Sequence, residues 1–221
     1  MSELERWETR FAGDDYVFGT EPNAFLKKQA SRLARGQRAL ALADGEGRNG
    51  VWLAERGLSV LSVDFSPRAL AKAELLARRR GVVIRTERAD LGNWRWPEAT
   101  FDVVAGIFMQ FADPVVRERI FAGIRRTLKP GGLVLIEGYR PEQLAYKTGG
   151  PSQVENLYTK QLLQKAFERW EIVELREYDN LVQEGTGHAG MSALIDLVAR
   201  KPGGPQAPGA QQGRGRRRGT K

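Results

Sequence analysis

Three glycines in the run Asp44-Gly45-Glu46-Gly47-Arg48-Asn49-Gly50 spell G-x-G-x-x-G, directly after a short apolar stretch, Ala39–Ala43. Glycines at this spacing let a chain turn tightly out of a strand and bring bare backbone against a nucleotide. Asp64 stands 17 positions after Gly47, closing the next β-branched run, Ser59–Val63. A carboxylate there can accept both hydroxyls of a ribose. Ser66 already holds the capping position of the following helix, so Asp64 is not needed as a cap. A glycine-rich turn or a turn aspartate alone is ordinary; the pair points to a bound nucleotide.

Two nucleotides compete for the loop. A dinucleotide such as NAD would rest its pyrophosphate on the helix N-terminus, where Asp44 and Glu46 would repel it. S-adenosylmethionine carries no phosphate, and its sulfonium and ammonium suit an acidic loop. The chain also lacks the Tyr-x-x-x-Lys pair of short-chain dehydrogenases. The sulfonium cofactor is favoured, with an NAD-type oxidoreductase as the alternative. Methyl transfer from a sulfonium is a direct displacement that mainly needs alignment and exclusion of water. An oxygen or nitrogen nucleophile adds the need for a base. His188, the one histidine, sits in the glycine-rich segment Glu184–His188; Glu137 and Tyr139 close an apolar run. These three are the candidates for catalysis or acceptor binding. Tyr146 with Thr148-Gly149-Gly150-Pro151 reads as part of a lid. No set of metal ligands is apparent.

The elements that must position these residues alternate. Strands are expected at Ala39–Ala43, Ser59–Val63, Val82–Thr86, Phe101–Gly106 and Leu133–Glu137. Helices are expected at Leu26–Leu33, Val51–Arg56, Ser66 to about Arg80, and Asp113 to Leu128, with Lys129-Pro130-Gly131-Gly132 as a turn. Strand and helix alternating in this way give a parallel sheet covered on both faces. The end differs: a helix at Tyr158–Phe167, then strands at Trp170–Glu177 and Met191–Arg200 with no helix between, which implies antiparallel pairing.

The runs LALADGEGRNGVWLAERG, SVDFSP, ADLGNW, FDVVAGIF and LKPGG resemble the successive motifs of class I S-adenosylmethionine-dependent methyltransferases. GEGRN with the EGYRPEQL and TGGP segments is most similar to the small-molecule branch of tellurite-resistance-type and thiopurine-type enzymes. The resemblance spans about residues 5–200 and implies a doubly wound, Rossmann-like α/β fold. Its seven-stranded sheet would be mostly parallel, with the last strand antiparallel. It implies that Asp90 reaches the adenine amino group and that Leu91, Gly106, Ile107 and Phe108 line the cofactor. Gly45, Gly47, Asn49, Phe65 and Ser66 would join Asp64 around it. Arg10 would pair with the methionine carboxylate and Tyr16 would pack on it. The family usually has an acid where Ala41 stands and glycine where Ala43 stands; Asp44 could supply the missing carboxylate to the amino group.

The acceptor is expected to be a small molecule. Phe108–Phe111 offers an apolar wall with one amide, and lacks the Asn/Asp-Pro-Pro-aromatic element of enzymes that methylate base amines. The absence of cysteine removes the covalent route to cytosine and any disulfide. The net charge of +8 is concentrated in Lys201–Lys221, where two lysines and four arginines stand with no acid. The preceding residues carry 29 basic against 27 acidic groups, too balanced for phosphate-backbone binding. Residues 1–201 read as one domain, with 202–221 a disordered basic tail. Its Arg-Gly tract leaves open an RNA-associated role, or a methyltransferase fold kept for protein association. The charged start without an apolar run reads as no secretory signal, and nothing approaches a membrane span; a cytoplasmic protein is expected. Oligomeric state is left open.

Overall fold

In the computed structural model, which describes residues 2–203, the strands are β1 (Arg38–Leu42), β2 (Ser59–Asp64), β3 (Arg85–Arg88), β4 (Phe101–Ile107), β5 (Leu128–Tyr139), β6 (Glu171–Glu184) and β7 (His188–Arg200). The helices are α1 (Glu3–Arg10), α2 (Ala24–Lys28), α3 (Arg48–Glu55), α4 (Pro67–Arg79), α5 (Pro114–Thr127), α6 (Gln143–Tyr146) and α7 (Lys160–Ala166). All seven strands join one sheet in the order β3-β2-β1-β4-β5-β7-β6. The first five pair in parallel, and β7 runs antiparallel to both β5 and β6. The mostly parallel, seven-stranded sheet with an antiparallel last strand is therefore what forms. A dinucleotide Rossmann sheet ends 3-2-1-4-5-6; here a hairpin replaces that edge.

Side chains alternate across the sheet with the period of two that strands impose. Leu40, Val104, Val134, Ile136, Ile195 and Leu197 face the layer of α5 and α7, packing with Phe121, Ile124, Leu163 and Phe167. Ala39, Val103, Ala105, Leu133, Leu135 and Val198 face the other layer, with Phe25, Leu26, Trp52 and Leu53 of α2 and α3. Burial on both faces explains why the parallel strands read as continuous apolar runs.

Several elements depart from expectation; β5, for one, already begins at Leu128 and runs through Lys129–Gly132, expected as a turn. The third strand starts at Arg85, not Val82, because Gly81 (φ 68°) closes α4 and the Val82 amide donates back to the Ala77 carbonyl at 3.0 Å. Val82 then packs with Val51 and Leu76, the apolar contact that accompanies such a helix end, while Val83 is 86% exposed. The last two strands are longer than expected, because pairing continues to Glu184 opposite His188. A three-residue turn closes them, with Gly185 at φ 64°. The glycine-rich segment is thus a hairpin tip, not a loose loop. At the start, Ser2 and Glu5 form a capping box that opens α1. The basic tail lies outside the described residues, apart from Pro202 and Gly203, which are in no regular element.

Ala43 and Phe108, at the ends of β1 and β4, have φ of 45° and 53°. Left-handed backbone costs a residue with a Cβ roughly 1–2 kcal/mol. Ala43→Gly removes that strain, offset by the larger chain entropy of glycine. It should raise stability by about 0.5–1 kcal/mol, read as a higher urea midpoint; a lower midpoint would show that the Ala43 methyl packs favourably.

Candidate active site

The parallel strands point their carboxyl ends at one edge, and Asp44–Arg48 forms a turn there. Gly47 stands in left-handed backbone (φ 86°) at the start of α3, and a Cβ on it would lie 2.5 Å from that of Ala73 on α4. Only glycine allows both the turn and that helix contact. Asp64 is 6% exposed; one oxygen accepts the Gly45 amide and the other the Ser66 amide, each at 2.9 Å. One bond per oxygen leaves lone pairs for a diol. Burial raises its pKa against those hydrogen bonds.

Asp44 and Glu46 do not offer free carboxylates. Asp44 accepts the Gly50 amide, at 3.1 and 3.2 Å to its two oxygens, and the Ser62 hydroxyl at 2.8 Å. It thereby occupies the N-terminus of α3 from within the protein. Glu46 accepts the Val17 amide at 2.7 Å and pairs with Lys72. The preference for a sulfonium over a pyrophosphate therefore rests on the filled helix terminus and the sheet order, not on an open acidic face. Asn49 accepts the Asn23 amide at 3.0 Å.

The N-terminal segment covers this edge. Phe11 is buried within 3.6 Å of where a Gly45 Cβ would stand. Glu8 contacts the Ser66 hydroxyl and Arg68, and the Tyr16 hydroxyl donates to the Lys72 carbonyl at 3.0 Å. Arg10 lies over the rings of Trp7 and Phe18, at 5.2 and 4.9 Å. Val17 bridges the site, its amide on Glu46 and its carbonyl accepting from the Gly187 amide at 2.9 Å. Asp90 is exposed beyond β3, accepting from the Gly92 amide and the Asn93 side chain. Leu91 is buried in the core, Phe65 follows β2, and Gly106 and Ile107 end β4.

On the other side, the hairpin tip sets the His188 ring 4.3 Å from Phe108, 4.5 Å from Phe18 and 5.9 Å from Tyr139. Burial and the Arg48 charge outweigh Glu184 and hold the His188 pKa below its usual value. Gly149 and Gly150 roof Tyr139; a Cβ on Gly150 would meet its ring at 2.8 Å. Tyr146, the other lid candidate, is exposed and donates to Asp179 at 2.9 Å. The amide of Gln110 is fully used, accepting the Tyr139 amide at 2.6 Å and donating to its carbonyl at 2.8 Å. It braces the end of β5 and is not free for an acceptor. Glu137 faces Asn23 at 2.6 Å and Tyr178 at 3.1 Å, so it supports the wall. Its pKa is raised by burial and then by Asp196, its register partner.

Arg48, Asn23 and Glu184 also belong to the site, and the only local signal for any of them is the place of Arg48 in GEGRN. Arg48 donates to Glu184 at 2.6 Å with both side chains nearly covered. Burial opposes ionisation of Glu184, but His188 and Arg48 bring its pKa to about 2.

A family model described as "Methyltransferase domain" matches residues 39–132. The chain is 32% identical over 127 residues to an uncharacterised methyltransferase, sll0829, of Synechocystis, covering 57% of this chain and 58% of that one. It is 36% identical over 109 residues to the demethylmenaquinone methyltransferase of Thermus thermophilus, covering 48% of each. The chain thus spans about half the length of these curated relatives. A solved structure of a SAM-dependent methyltransferase from Methanosarcina mazei superposes with a TM-score of 0.65 at 19% identity, covering 83% of this chain and 100% of that one. Residues 39–132 thus match a methyltransferase domain, and the fold is that of S-adenosylmethionine-dependent methyltransferases, a class whose cofactor is S-adenosylmethionine. Among the described residues, no helix is long and apolar enough to cross a membrane.

Burial raises the Asp44 carboxyl to about 7, against hydrogen bonds from Ser62 and Gly50 that lower it. A raised folded-state value means that the folded chain binds more protons than the unfolded chain. Stability is then fully present below the ordinary value of 3.8 and is lost as pH rises through about 7. Asp44→Asn cannot titrate, so its melting temperature should gain on the wild type between about pH 4 and pH 7. A gap that does not change with pH contradicts this.

Proposed function

We propose that the chain transfers a methyl group from S-adenosylmethionine to a small-molecule acceptor, with His188 as base. The observation that carries this reading is the hairpin tip. It brings the one histidine against Phe108 and Tyr139 at the ends of β4 and β5, on the covered edge that also holds Asp64. A covered site excludes water and favours compact acceptors over polymers.

The residues present fit this cofactor. Asp64 keeps lone pairs for a ribose diol, and the one cation of the loop Asp44–Gly50, Arg48, is turned to Glu184 through its Nη2 arm. Asp90, Leu91, Phe65, Ser66, Gly106 and Ile107 would line the adenosine side, and Arg10 and Tyr16 the methionine side. Asp44, Glu46 and Asn49 would act by shaping the loop. When bound, the cofactor supplies a methyl group on a positively charged sulfur. A neutral His188 can take the proton that the acceptor gives up as its lone pair attacks. The raised pKa of Tyr139, due to burial and then to Glu184 and Glu137, keeps its hydroxyl protonated as a donor.

Release of S-adenosylhomocysteine, scored over thiols, halides, carboxylates and amines, tests the reading directly; turnover of bulk RNA with none of these acceptors would overturn it. His188→Ala should lower kcat by about 100-fold or more while leaving S-adenosylhomocysteine affinity within about threefold, roughly 0.65 kcal/mol. The wild-type rate should hold as pH falls to about 6.5 and drop only below that, because the base must stay neutral and its pKa is lowered. An unchanged rate in the variant would remove His188 from the mechanism.

A further inference from the structure

Three polar atoms around the hairpin tip are buried without a hydrogen-bond partner: Arg48 Nη1, the Tyr139 hydroxyl and His188 Nδ1. Arg48 is 6% exposed and Tyr139 2%. Arg48 Nη2 donates to Glu184 Oε2 at 2.6 Å, while His188 Nδ1 stands 3.8 Å from the same oxygen, too far for a hydrogen bond. The two orphans therefore flank one carboxylate, and Tyr139 lies edge-on to the same imidazole. Buried polar groups are nearly always paired, because an unpaired one forfeits its bond to water. Nearby polar side chains are engaged elsewhere, Ser192 donating its hydroxyl to the Gly190 carbonyl at 3.2 Å. Asn23, Asn49 and Gln110 have partners of their own, and Glu184 already answers one arm of the guanidinium.

We infer that the methyl acceptor is an organic acid whose carboxylate is held by the free Nη1 of Arg48 and the Tyr139 hydroxyl. Guanidinium and phenol both present N–H or O–H donors, and a planar carboxylate has an oxygen for each. The rings of Phe18, Phe108 and Tyr139 surround His188, so the acid carries an apolar body against them. The glycines over Tyr139 keep the space above its hydroxyl small; a Cβ on Gly149 would lie 3.5 Å from that oxygen. The anionic group anchors the acceptor and His188 faces the atom that is methylated. This rests on the methyltransferase reading for the word acceptor, but not for the anion site itself.

The test uses benzoate and its neutral counterpart benzamide, titrated calorimetrically into the full chain with and without saturating S-adenosylhomocysteine. Benzoate should bind at least tenfold more tightly than benzamide, and together with S-adenosylhomocysteine. Tyr139→Phe should weaken benzoate by about fivefold or more without lowering the melting temperature, since the hydroxyl it removes has no partner. Arg48→Lys, which keeps the charge for Glu184 but not the second arm, should remove the preference. Equal affinities, displacement of benzoate by S-adenosylhomocysteine, an unaffected Tyr139→Phe, or phenyl phosphate outcompeting benzoate would each overturn the inference. If S-adenosylhomocysteine fails to bind while the benzoate preference persists, the anion site stands and the methyltransferase reading falls. If S-adenosylhomocysteine binds and the preference is absent, the anion site alone falls.

Discussion

One buried asparagine ties the site together. The main-chain amide of Asn23 donates to Asn49 beside the glycine loop, its side-chain amide donates to Glu137 and Glu184, and its carbonyl oxygen caps α2 through the Leu26 amide. Four elements that are distant in sequence thus share one residue that is 1% exposed. A network of this kind is stable only when each member is satisfied, because a low-dielectric interior strengthens made bonds and penalises missing ones alike. Glu184 passes the constraint on to Arg48, and Glu137 passes it to Tyr178 and so to the Asp196 strand. The glycine loop and the hairpin tip are held in one geometry by this chain of contacts together with the aromatic packing of Phe18 and Phe108 on His188.

Cover and cofactor edge follow from the same economy of buried charge. The acids of the loop have inward partners: Asp44 takes the α3 terminus, and Glu46 takes Lys72 and the Val17 amide. Val17 in turn receives the Gly187 amide, so the N-terminal segment is pinned between the loop and the hairpin. Around the hairpin tip Arg48 Nη1, the Tyr139 hydroxyl and His188 Nδ1 keep unmade bonds, on the side proposed for the acceptor. Satisfaction of one half and incompleteness of the other is the pattern expected where a scaffold is finished by its ligand.

Much of this was legible in the residues. Alternating apolar runs, Ser66-Pro67 and Asp113-Pro114 caps, and the glycine spacing specify the parallel half of the sheet because each depends on local periodicity and capping. The strand pair at the end was also legible, since no helix-length segment separates its members. The long hairpin tip was not. In Asp179–Glu184 only the adjacent Leu181 and Val182 are apolar, too short a run to signal a strand, and cross-strand pairing extends β6 through the segment. Asp64 could be singled out by its position after a strand. Asn23 and Glu184 could not, since their significance is purely tertiary: they lie 161 positions apart and meet at 3.1 Å. The start of α1 does carry a local signal, the Ser2–Glu5 capping box.

The central claim is that the edge formed by Gly45, Gly47 and Asp64 holds the adenosyl cofactor. Calorimetric titration of the purified chain with S-adenosylhomocysteine, beside NAD, tests it most directly. The account requires saturable binding in about the micromolar range, near −8 kcal/mol, no comparable binding of NAD, and at least a tenfold loss in Asp64→Ala, where a buried charged hydrogen bond is removed at about 1.5–3 kcal/mol. Absence of S-adenosylhomocysteine binding by the folded wild type, or tighter binding of NAD, would contradict it.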